Sequence, residues 1–559
     1  MDGVRGAARG RGPRNGTIGI LRWGVILFLT VATGLLVGGG PEALRALWPS
    51  ATALILVFVF RKVIVGLLAG GLAGALLLTG GNAVEAGRVI GGDILIPAFG
   101  NSWKLSALLF TLLLGGFAAL LERGKGLETW MVRNLVRGRG DPARKLQKLS
   151  MGLGLVCFFD GLANSILLGR VTRSLARTCG VSREKMAYLV DSTSSSVACI
   201  AFISTWIAFQ LSLIGDALEA AGYAASPYLL FFASIPKNYY ALYTLIFLFV
   251  VIVFNFHLGP MRRLEVEARN RAGGDFMDEK GGEGRVRSYR ALIPLFGLVF
   301  SIMSLFYFFY AFEHPDADWS TAATYGLAFS TGFGPEAMVG GTLLGILLAF
   351  LFYPHADGDP AIRVFLSGVR ALLVPILILI SAWILGGVLS ALGTAETFTA
   401  LLEGRLPLAW VAPVVFLTGA LISFSTGTSW GTMAILMPLS IPAVLTLGAG
   451  AVSPEGMGSH LSLVIAAVFS GAVFGDHCSP FSDTTIVSSI ACGVEPEEHV
   501  RTQLPFALVA GGAAIVLGFV PAGYGISTVW ILPVGIAFLL ALPFLFPKAR
   551  QMGDSGDRG

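Results

Sequence analysis

The stretch F-S-G-A-V-F-G-D-H-C-S-P-F-S-D-T-T-I-V-S-S, residues 469–489, places polar and ionisable side chains between two apolar runs. Ionisable groups at membrane depth cost about 2.5–3.5 kcal/mol each on insertion scales, so they usually face a cavity and serve a function. Pro480 removes a backbone donor, and Gly471 and Gly475 loosen the surrounding helix. The stretch therefore predicts a helix that breaks at mid-membrane, where carbonyls, hydroxyls and carboxylates gather. Such a break is typical of cation sites in secondary transporters.

The composition of the chain indicates a membrane protein. Of its 559 residues, 55% are hydrophobic and only 13% are charged, whereas a soluble protein carries about 25% charged residues. The apolar residues lie in runs of about 20, which is long enough to cross a bilayer as a helix. We therefore expect an all-α polytopic membrane protein. Its net charge of +5 lies mostly in loops and reports their orientation, so we expect no nucleic-acid partner.

The cysteines and the known catalytic motifs predict no further chemistry. The five cysteines form neither a C-x-x-C pair nor a zinc pattern, so we expect packed free thiols. The sequence contains no Walker loop and no H-E-x-x-H motif. Ser479 near His477 is too weakly spaced a signal to predict an enzyme. We therefore expect neither a cofactor nor catalytic activity.

A charged linker divides the chain into two halves. We predict a basic tail at residues 1–16, a first half at 17–260, the linker at 261–290, a second half at 291–546 and a closing tail at 547–559. The linker carries eight Lys/Arg and six Asp/Glu, and the loop 123–148 carries eight Lys/Arg. Basic loops stay in the cytoplasm, so we place these segments and both tails there.

Polar residues interrupt two apolar runs of the first half. F-F-D-G-L-A-N-S splits the run 146–178 into pieces too short to cross separately. This pattern predicts a re-entrant hairpin with Asp160 and Asn164 at its tip, because non-helical backbone at membrane depth must face protein or a water-filled cavity. D-S-T-S-S-S, residues 191–196, lies inside another apolar run and predicts a broken helix at Asp191.

The second half repeats this plan. S-F-S-T-G-T-S-W-G-T, residues 423–432, interrupts an apolar run, and the stretch 469–489 follows it. Aligning the halves pairs Glu128 with Glu396, Asp160 with Thr426, and Asp191 with Asp476. Loop charges place the two hairpins on opposite sides of the membrane. We therefore predict two inverted-topology repeats, about 12 crossings and a midplane site between the repeats.

These residues resemble the NhaC family of sodium/proton antiporters, within the larger ion-transporter superfamily. The resemblance extends from about Leu56 to Leu517 and is carried by G-D-H-C-S-P-F-S-D-T-T-I and H-V-R-T-Q-L-P-F-A-L, with D-G-L-A-N-S, D-S-T and I-S-T-W in support. It implies a scaffold and a transport domain, the latter holding both hairpins and both broken helices. It also implies an elevator-like motion and a homodimer in the bacterial inner membrane. The chain departs from the family at Ser196, where relatives tend to have a proline.

The candidate cation- and proton-binding residues lie at the hairpin tips and helix breaks. Asp476 and Asp483 are favoured, because Na⁺ and H⁺ can compete for a desolvated carboxylate. His477 can relay protons or hold the break in shape. Hydroxyl oxygens suit hard cations, although helix capping is their alternative role. The full set is Asp160, Asn164, Asp191, Ser192, Thr193, Thr426, Thr428, Ser429, Asp476, His477, Ser479, Asp483 and Thr484.

The sequence thus predicts a secondary transporter that exchanges Na⁺ for H⁺, with both ions as cargo. The alternative keeps the same fold but exchanges an organic anion, such as a dicarboxylate or hydroxy acid, or an amino acid. Arg170 and Arg173 are the cationic residues that we find in the hairpins and broken helices, and they lie late in the first hairpin. Their position favours a cation as cargo. A channel would not need two inverted sites that alternate.

Overall fold

The computed structural model describes residues 14–60, 62–124, 141–271, 289–353, 360–394 and 405–549, with positions 126, 130, 397 and 400 between them. All regular secondary structure in this part of the chain is helical. Glu128 and Glu396, whose pairing the sequence predicts, lie outside the described residues, as do residues 272–288 of the linker.

Most helices outside the hairpins and broken helices are long and apolar. In the first half these outer helices are Arg14–Gly38, Glu42–Phe60, Val63–Leu78, Ser102–Arg123, the short Pro227–Ser234, and Tyr239–Phe254. In the second half they are Tyr289–Glu313, Gly334–Phe352, Ala361–Ala371, Leu373–Ala391, Pro496–Ala513 and Thr528–Leu545. Within the described residues, ten helices could cross a membrane by length and composition, or up to twelve if each of two bent pairs forms one span. The polytopic all-α fold is confirmed.

Shorter elements join these helices, and the sequence analysis predicts none of them. They are Ala83–Arg88, Ile96–Gly100, Pro260–Asn270, Ala322–Leu327 and Val520–Gly523, with π-helical turns at Val89–Leu95 and Ala514–Phe519. Pro227–Lys237 is bent by 43° against Tyr239–Phe254. Pro236 lies just before this bend and cannot donate a helical hydrogen bond, which favours a change of direction there.

The polar interruptions of the first half form a hairpin and a broken helix. The first hairpin consists of Pro142–Val156 and Gly161–Thr178. The first broken helix consists of Arg183–Ile200 and Thr205–Ala220, which are bent by 43° against each other. Its two arms meet at residues 201–204, beside the tip of the first hairpin: the N–H of Thr205 donates to the carbonyl oxygen of Phe159 at 2.9 Å.

The predicted position of the first break, at Asp191, is wrong. Asp191, Ser192 and Thr193 all lie inside the continuous helix Arg183–Ile200. A hydroxyl can satisfy the helix backbone without ending the helix, and Thr193 does so by donating to the carbonyl oxygen of Leu189 at 2.9 Å. The second arm begins instead at Ser204, whose side chain caps it by accepting two backbone N–H groups.

The second half contains a matching hairpin and broken helix. The second hairpin consists of Leu408–Thr426 and Ser429–Gly448, and the second broken helix of Pro454–Cys478 and Asp483–Cys492. The break therefore surrounds Pro480, where the sequence predicts it. Both arms of the second hairpin are long and apolar enough to cross a membrane.

Gly471 and Gly475 lie within the continuous helix Pro454–Cys478, so the expectation that they loosen it is wrong. A Cβ atom on Gly471 would lie 2.5 Å from the carbonyl oxygen of Phe416, and one on Gly475 would lie 2.4 Å from that of Ala420. Real Cβ atoms do not approach backbone oxygens this closely. The two glycines instead let the second broken helix pack directly on the second hairpin, as small residues do between membrane helices.

A buried charge cluster joins the first broken helix to the short helix Pro260–Asn270. The Nζ atom of Lys185 lies 2.7 Å from Nε2 of His257 and 3.5 Å from Oε2 of Glu265. The N–H of Ser182 donates to Oε1 of Glu265 at 2.7 Å. The three side chains are at most 1% exposed, although the sequence analysis gives His257 no role and places Glu265 in a linker. We call Lys185, His257 and Glu265 the Lys185 cluster.

The Lys185 cluster makes the stability of the fold depend on pH. Burial and the charge of Lys185 lower the pKa of His257 from 6.5 to about 4. Burial alone would raise the pKa of Glu265, but Lys185 and His257 together have the larger effect and lower it from 4.5 to about 2. Both folded-state pKa values lie below the unfolded ones, so the unfolded chain binds more protons as the pH falls. Acid therefore destabilises the folded state.

We expect the apparent Tm of the purified protein to fall as the pH drops through the window between the two His257 pKa values, 6.5 and about 4. His257→Gln should show a shallower fall, because position 257 then takes up no proton on unfolding; its share is on the order of 3 kcal/mol. Thermal unfolding followed by tryptophan fluorescence measures both slopes, with the exposed His314→Gln as control. Equal slopes in wild type and His257→Gln would contradict this role.

Candidate functional site

Asp476 lies near the end of the first arm of the second broken helix and is fully buried. Its carboxylate accepts the hydroxyl of Ser482 through Oδ1 and the hydroxyl of Thr484, at 2.9 Å, through Oδ2. Thr485 donates its hydroxyl to the Asp476 carbonyl oxygen at 3.2 Å. We call Asp476, Ser482 and Thr484 the Asp476 cluster. It gathers one carboxylate and two hydroxyls at the break, a set of oxygens that suits a hard cation.

Asp483 and Ser479 lie beside the Asp476 cluster but do not bond to its carboxylate. Asp483 opens the second arm of the broken helix, is exposed, and accepts the N–H of Thr484 at 2.9 Å. An acidic side chain in a first turn stabilises the start of a helix. Ser479 is buried and accepts the N–H of Phe481 at 3.4 Å. Of the two aspartates favoured by the sequence, Asp476 is therefore the one inside the protein.

His477 connects the two broken helices. Its Nε2 atom lies 2.6 Å from the hydroxyl oxygen of Ser195 on the first broken helix. Its Nδ1 atom lies 2.8 Å from the hydroxyl oxygen of Tyr240. The side chain is 1% exposed. With both ring nitrogens bonded inside the protein, His477 fixes the position of the second break against the first broken helix.

Asp191 is fully buried and is held by two residues of the helix Pro496–Ala513. The Nε2 atom of Gln503 donates to Oδ2 of Asp191 at 2.7 Å and to the carbonyl oxygen of His477 at 2.9 Å. The Nε2 atom of His499 lies 3.4 Å from the same Asp191 oxygen. Oδ1 of Asp191 has no hydrogen-bond partner within the described part of the chain.

Asp160 has a clear structural role at the tip of the first hairpin. One carboxylate oxygen accepts the N–H of Ala163 at 2.6 Å and caps the second hairpin arm. The other accepts the hydroxyl of Thr205 at 2.9 Å, at the start of the second arm of the first broken helix. Asp160 therefore joins the hairpin tip to the observed break, and no bond links it to Asp476 among the described residues.

Asn164 ties the first hairpin to the first broken helix. Its amide nitrogen donates to the carbonyl oxygens of Gly154, at 3.1 Å, and Thr193, at 2.9 Å. Ser194 reaches back from the broken helix and donates to the carbonyl oxygen of Gly161 at 2.8 Å. Ser192, also a predicted ligand, is fully buried in the same helix.

The tip of the second hairpin contacts the second broken helix. Thr428 caps the second hairpin arm by accepting the N–H of Gly431 at 3.2 Å, and Ser429 donates to the carbonyl oxygen of Ala472 at 3.1 Å. Gly427, with φ of 69°, packs so closely that a Cβ there would lie 2.5 Å from the carbonyl oxygen of Phe481. Thr426 is buried next to it. The tip therefore packs against the break that holds the Asp476 cluster.

Sequence reasoning missed several residues of this network. Ser195 lies inside the quoted D-S-T-S-S-S stretch, and Ser482 lies beside Asp483. Their positions could therefore have suggested a role in the site. His499 and Gln503 belong to the quoted H-V-R-T-Q-L-P-F-A-L motif but received no role. The partners of Ser195, His499 and Gln503 are distant in sequence, and single-chain patterns do not report such contacts.

The structure places more cationic side chains in and beside the hairpins and broken helices than the sequence predicts. Lys185 lies within the first broken helix, whose observed start is Arg183, and its charge is compensated by Glu265. Arg170 pairs with Glu122 at 2.9 Å. Lys237 donates to the carbonyl oxygen of Ser459 and to the hydroxyls of Ser459 and Ser462. No carboxylate pairs with Lys237 in the described part of the chain.

The side chains that line the site are mostly oxygen donors. Among the described residues, no group of three or more His, Cys, Asp or Glu side chains could hold a metal ion. All five cysteines are buried and none of them forms a disulfide, as predicted: Cys157, Cys179, Cys199, Cys478 and Cys492. Carboxylate and hydroxyl oxygens remain as the available ligands, and these suit Na⁺ or a proton.

Comparison with known proteins identifies relatives over most of the chain. The model of the Na⁺/H⁺ antiporter family matches residues 197–523. An uncharacterised protein of Haemophilus influenzae is 31% identical over 490 residues, which cover 85% of this chain and 91% of that protein. A Bacillus subtilis protein named malate-2H⁺/Na⁺-lactate antiporter is 35% identical over 197 residues, which cover 33% of this chain and 37% of that protein.

A solved structure shares the fold. The crystal structure of the YdaH transporter of Alcanivorax borkumensis superposes with a TM-score of 0.55 at 15% sequence identity, covering 85% of this chain and 99% of that one. At this identity the likeness concerns the fold alone.

Proposed function

Because the chain belongs to the Na⁺/H⁺ antiporter family, we propose that it exchanges Na⁺ for H⁺ at the Asp476 cluster. The observation that carries this proposal is the setting of Asp476. Its carboxylate is fully buried at a helix break and is bonded by two hydroxyls. No Lys or Arg pairs with it among the described residues. A buried carboxylate without a cationic partner is costly, so it favours binding a proton or a cation.

Competition for one carboxylate is sufficient for exchange. Na⁺ bound to Asp476 would take oxygens from Ser482 and Thr484 as further ligands, while a proton would neutralise the same carboxylate. If the site changes access only when one of the two is bound, uptake of one ion is coupled to release of the other. His477 would hold the break in place during this exchange, since both its ring nitrogens are bonded within the protein.

The wider mechanism is also a proposal. We place the site between two inverted repeats, with the hairpins and broken helices moving together as an elevator-type transport domain in a homodimer. The matching hairpin and broken helix in each half support the repeats. The cytoplasmic position of the tails is a prediction from the loop charges, and the bacterial inner membrane is part of the same proposal.

An organic-anion exchanger is the second candidate function. Two observations favour it: the name of the Bacillus subtilis relative and Lys237. This lysine lies at the bend between Pro227–Lys237 and Tyr239–Phe254 and is held by backbone and hydroxyl oxygens only. A lysine without a carboxylate partner inside a membrane protein could pair with a substrate carboxylate.

Everted membrane vesicles that hold a respiration-driven pH gradient distinguish the two functions. A fluorescent dye reports the gradient while NaCl, LiCl, KCl and sodium-free malate are added in turn. Exchange at the Asp476 cluster predicts that NaCl collapses the gradient and malate alone does not. A response to malate, with none to any of the three cations, would overturn the proposal in favour of the organic-anion exchanger. Vesicles without the protein give the background.

A further inference from the structure

His499 and Gln503 lie on the same face of the helix Pro496–Ala513, four residues apart, and the proposed exchange uses neither. Both are at most 1% exposed. Gln503 donates to Oδ2 of Asp191 at 2.7 Å, and Nε2 of His499 lies 3.4 Å from that same oxygen. Two side chains of one helix thus converge on one oxygen of a buried carboxylate.

The other oxygen of Asp191, Oδ1, lacks such partners: no group within the described residues hydrogen-bonds to it, although Asp191 is 0% exposed. A buried carboxylate oxygen without a partner is costly, and a bound cation or proton would complete its bonding. At Asp476, by comparison, hydroxyls bond to both carboxylate oxygens.

We infer that His499 and Gln503 are positioning residues, which hold Asp191 through Oδ2 and leave Oδ1 for the transported cation or proton. The inference rests on the proposed Na⁺/H⁺ exchange and extends its site to the first half of the chain. Outer partners of a liganding carboxylate fix its orientation and tune its affinity in the same way at metal sites.

Gln503 is the nearer of the two positioning residues, because its Nε2 atom lies 2.7 Å from Oδ2 of Asp191 and that of His499 lies 3.4 Å from it. We therefore expect Gln503 to contribute more to holding the carboxylate. The titratable electrostatic neighbours of Asp191 apart from His499 are Tyr240, Asp476, His477, Cys478, Asp483 and Cys492. None of these neighbours is a lysine or an arginine.

The test measures the apparent KM for Na⁺ and the maximal rate in proteoliposomes at one fixed pH. Gln503→Met should raise KM about tenfold, the size of effect expected of such partners, and leave the maximal rate close to that of wild type. His499→Gln should raise KM by a smaller factor, because its Nε2 atom lies farther from Asp191, at 3.4 Å. His460→Gln, at the distant start of the second broken helix, is the matched control and should follow wild type.

The outcomes distinguish failure of the positioning role from failure of the proposed Na⁺/H⁺ exchange. KM values of both variants that follow wild type, or losses confined to maximal rate and Tm, would overturn the positioning role and leave the exchange intact. If His499→Gln does not fold, Gln503→Met alone still decides, because an unchanged KM would refute the inference. Absence of Na⁺-driven flux in wild type would overturn the proposed function and the inference with it.

Discussion

Asp476→Asn is expected to reduce Na⁺-driven proton flux to the background of vesicles without the protein. An amide cannot take or release a proton near neutral pH, and it carries no charge to balance a bound cation. Asn has nearly the shape of Asp, so one of the two hydroxyls, of Ser482 or Thr484, can still donate to its oxygen while the other accepts from its amide nitrogen. The substitution should therefore abolish Na⁺/H⁺ exchange but change the expression level of the protein little. Collapse of the pH gradient by NaCl, read with the dye, measures it.

Asp93→Asn is the matched control for this experiment. Asp93 is exposed and lies in the π-helical turn Val89–Leu95, outside the candidate site. The variant should exchange at the wild-type rate. If Asp476→Asn also retained that rate, the Asp476 cluster would not be the exchange site. The buried Asp191 would then be the next carboxylate to test.

Lys185→Met is expected to destabilise the protein by about 3–5 kcal/mol, the usual cost of removing one partner from a buried ion pair. The variant leaves Glu265 at 1% exposure without its ammonium partner. Apparent Tm in detergent, measured by tryptophan fluorescence, reports the loss. Adding Glu265→Gln should recover much of it, because the double variant buries no unpaired charge.

Lys104→Met provides the comparison for the Lys185 cluster. Lys104 pairs with Asp216 at 2.7 Å, but these side chains are 18% and 23% exposed. Water reaches this pair, so its removal should cost less than removal of the fully buried Lys185. Equal Tm losses in Lys104→Met and Lys185→Met would show that burial does not set the strength of the Lys185 cluster.

The helices and their interruptions could be predicted from the sequence because hydrophobicity is a local signal. Long apolar runs predicted the spans, and Pro480 predicted the second break. The first break was misplaced because a polar run was taken as a sign of broken backbone. Serines can remain helical when their hydroxyls bond within the protein, as Ser194 and Ser195 do. The cap at Ser204 was the better signal.

The candidate site was only partly predictable, since its contacts join distant segments. Asp476 and His477 were found because ionisable groups are conspicuous in an apolar run. The bond between Gln503 and Asp191 spans 312 positions in sequence, and no local pattern reports it. Asp160 is a predicted ligand whose two oxygens bond at the hairpin tip and at the observed break, contacts that the sequence did not reveal.

The amide group of Gln503 bonds at once to a side chain of one broken helix and to the backbone of the other. One amide group cannot keep both hydrogen bonds if the two broken helices move apart. If the broken helices shift together during a transport cycle, the helix Pro496–Ala513 should move with both of them and belong to the mobile part of the protein. Substitutions at Asp191 and Gln503 should then fail to add, because each removes the same hydrogen bond.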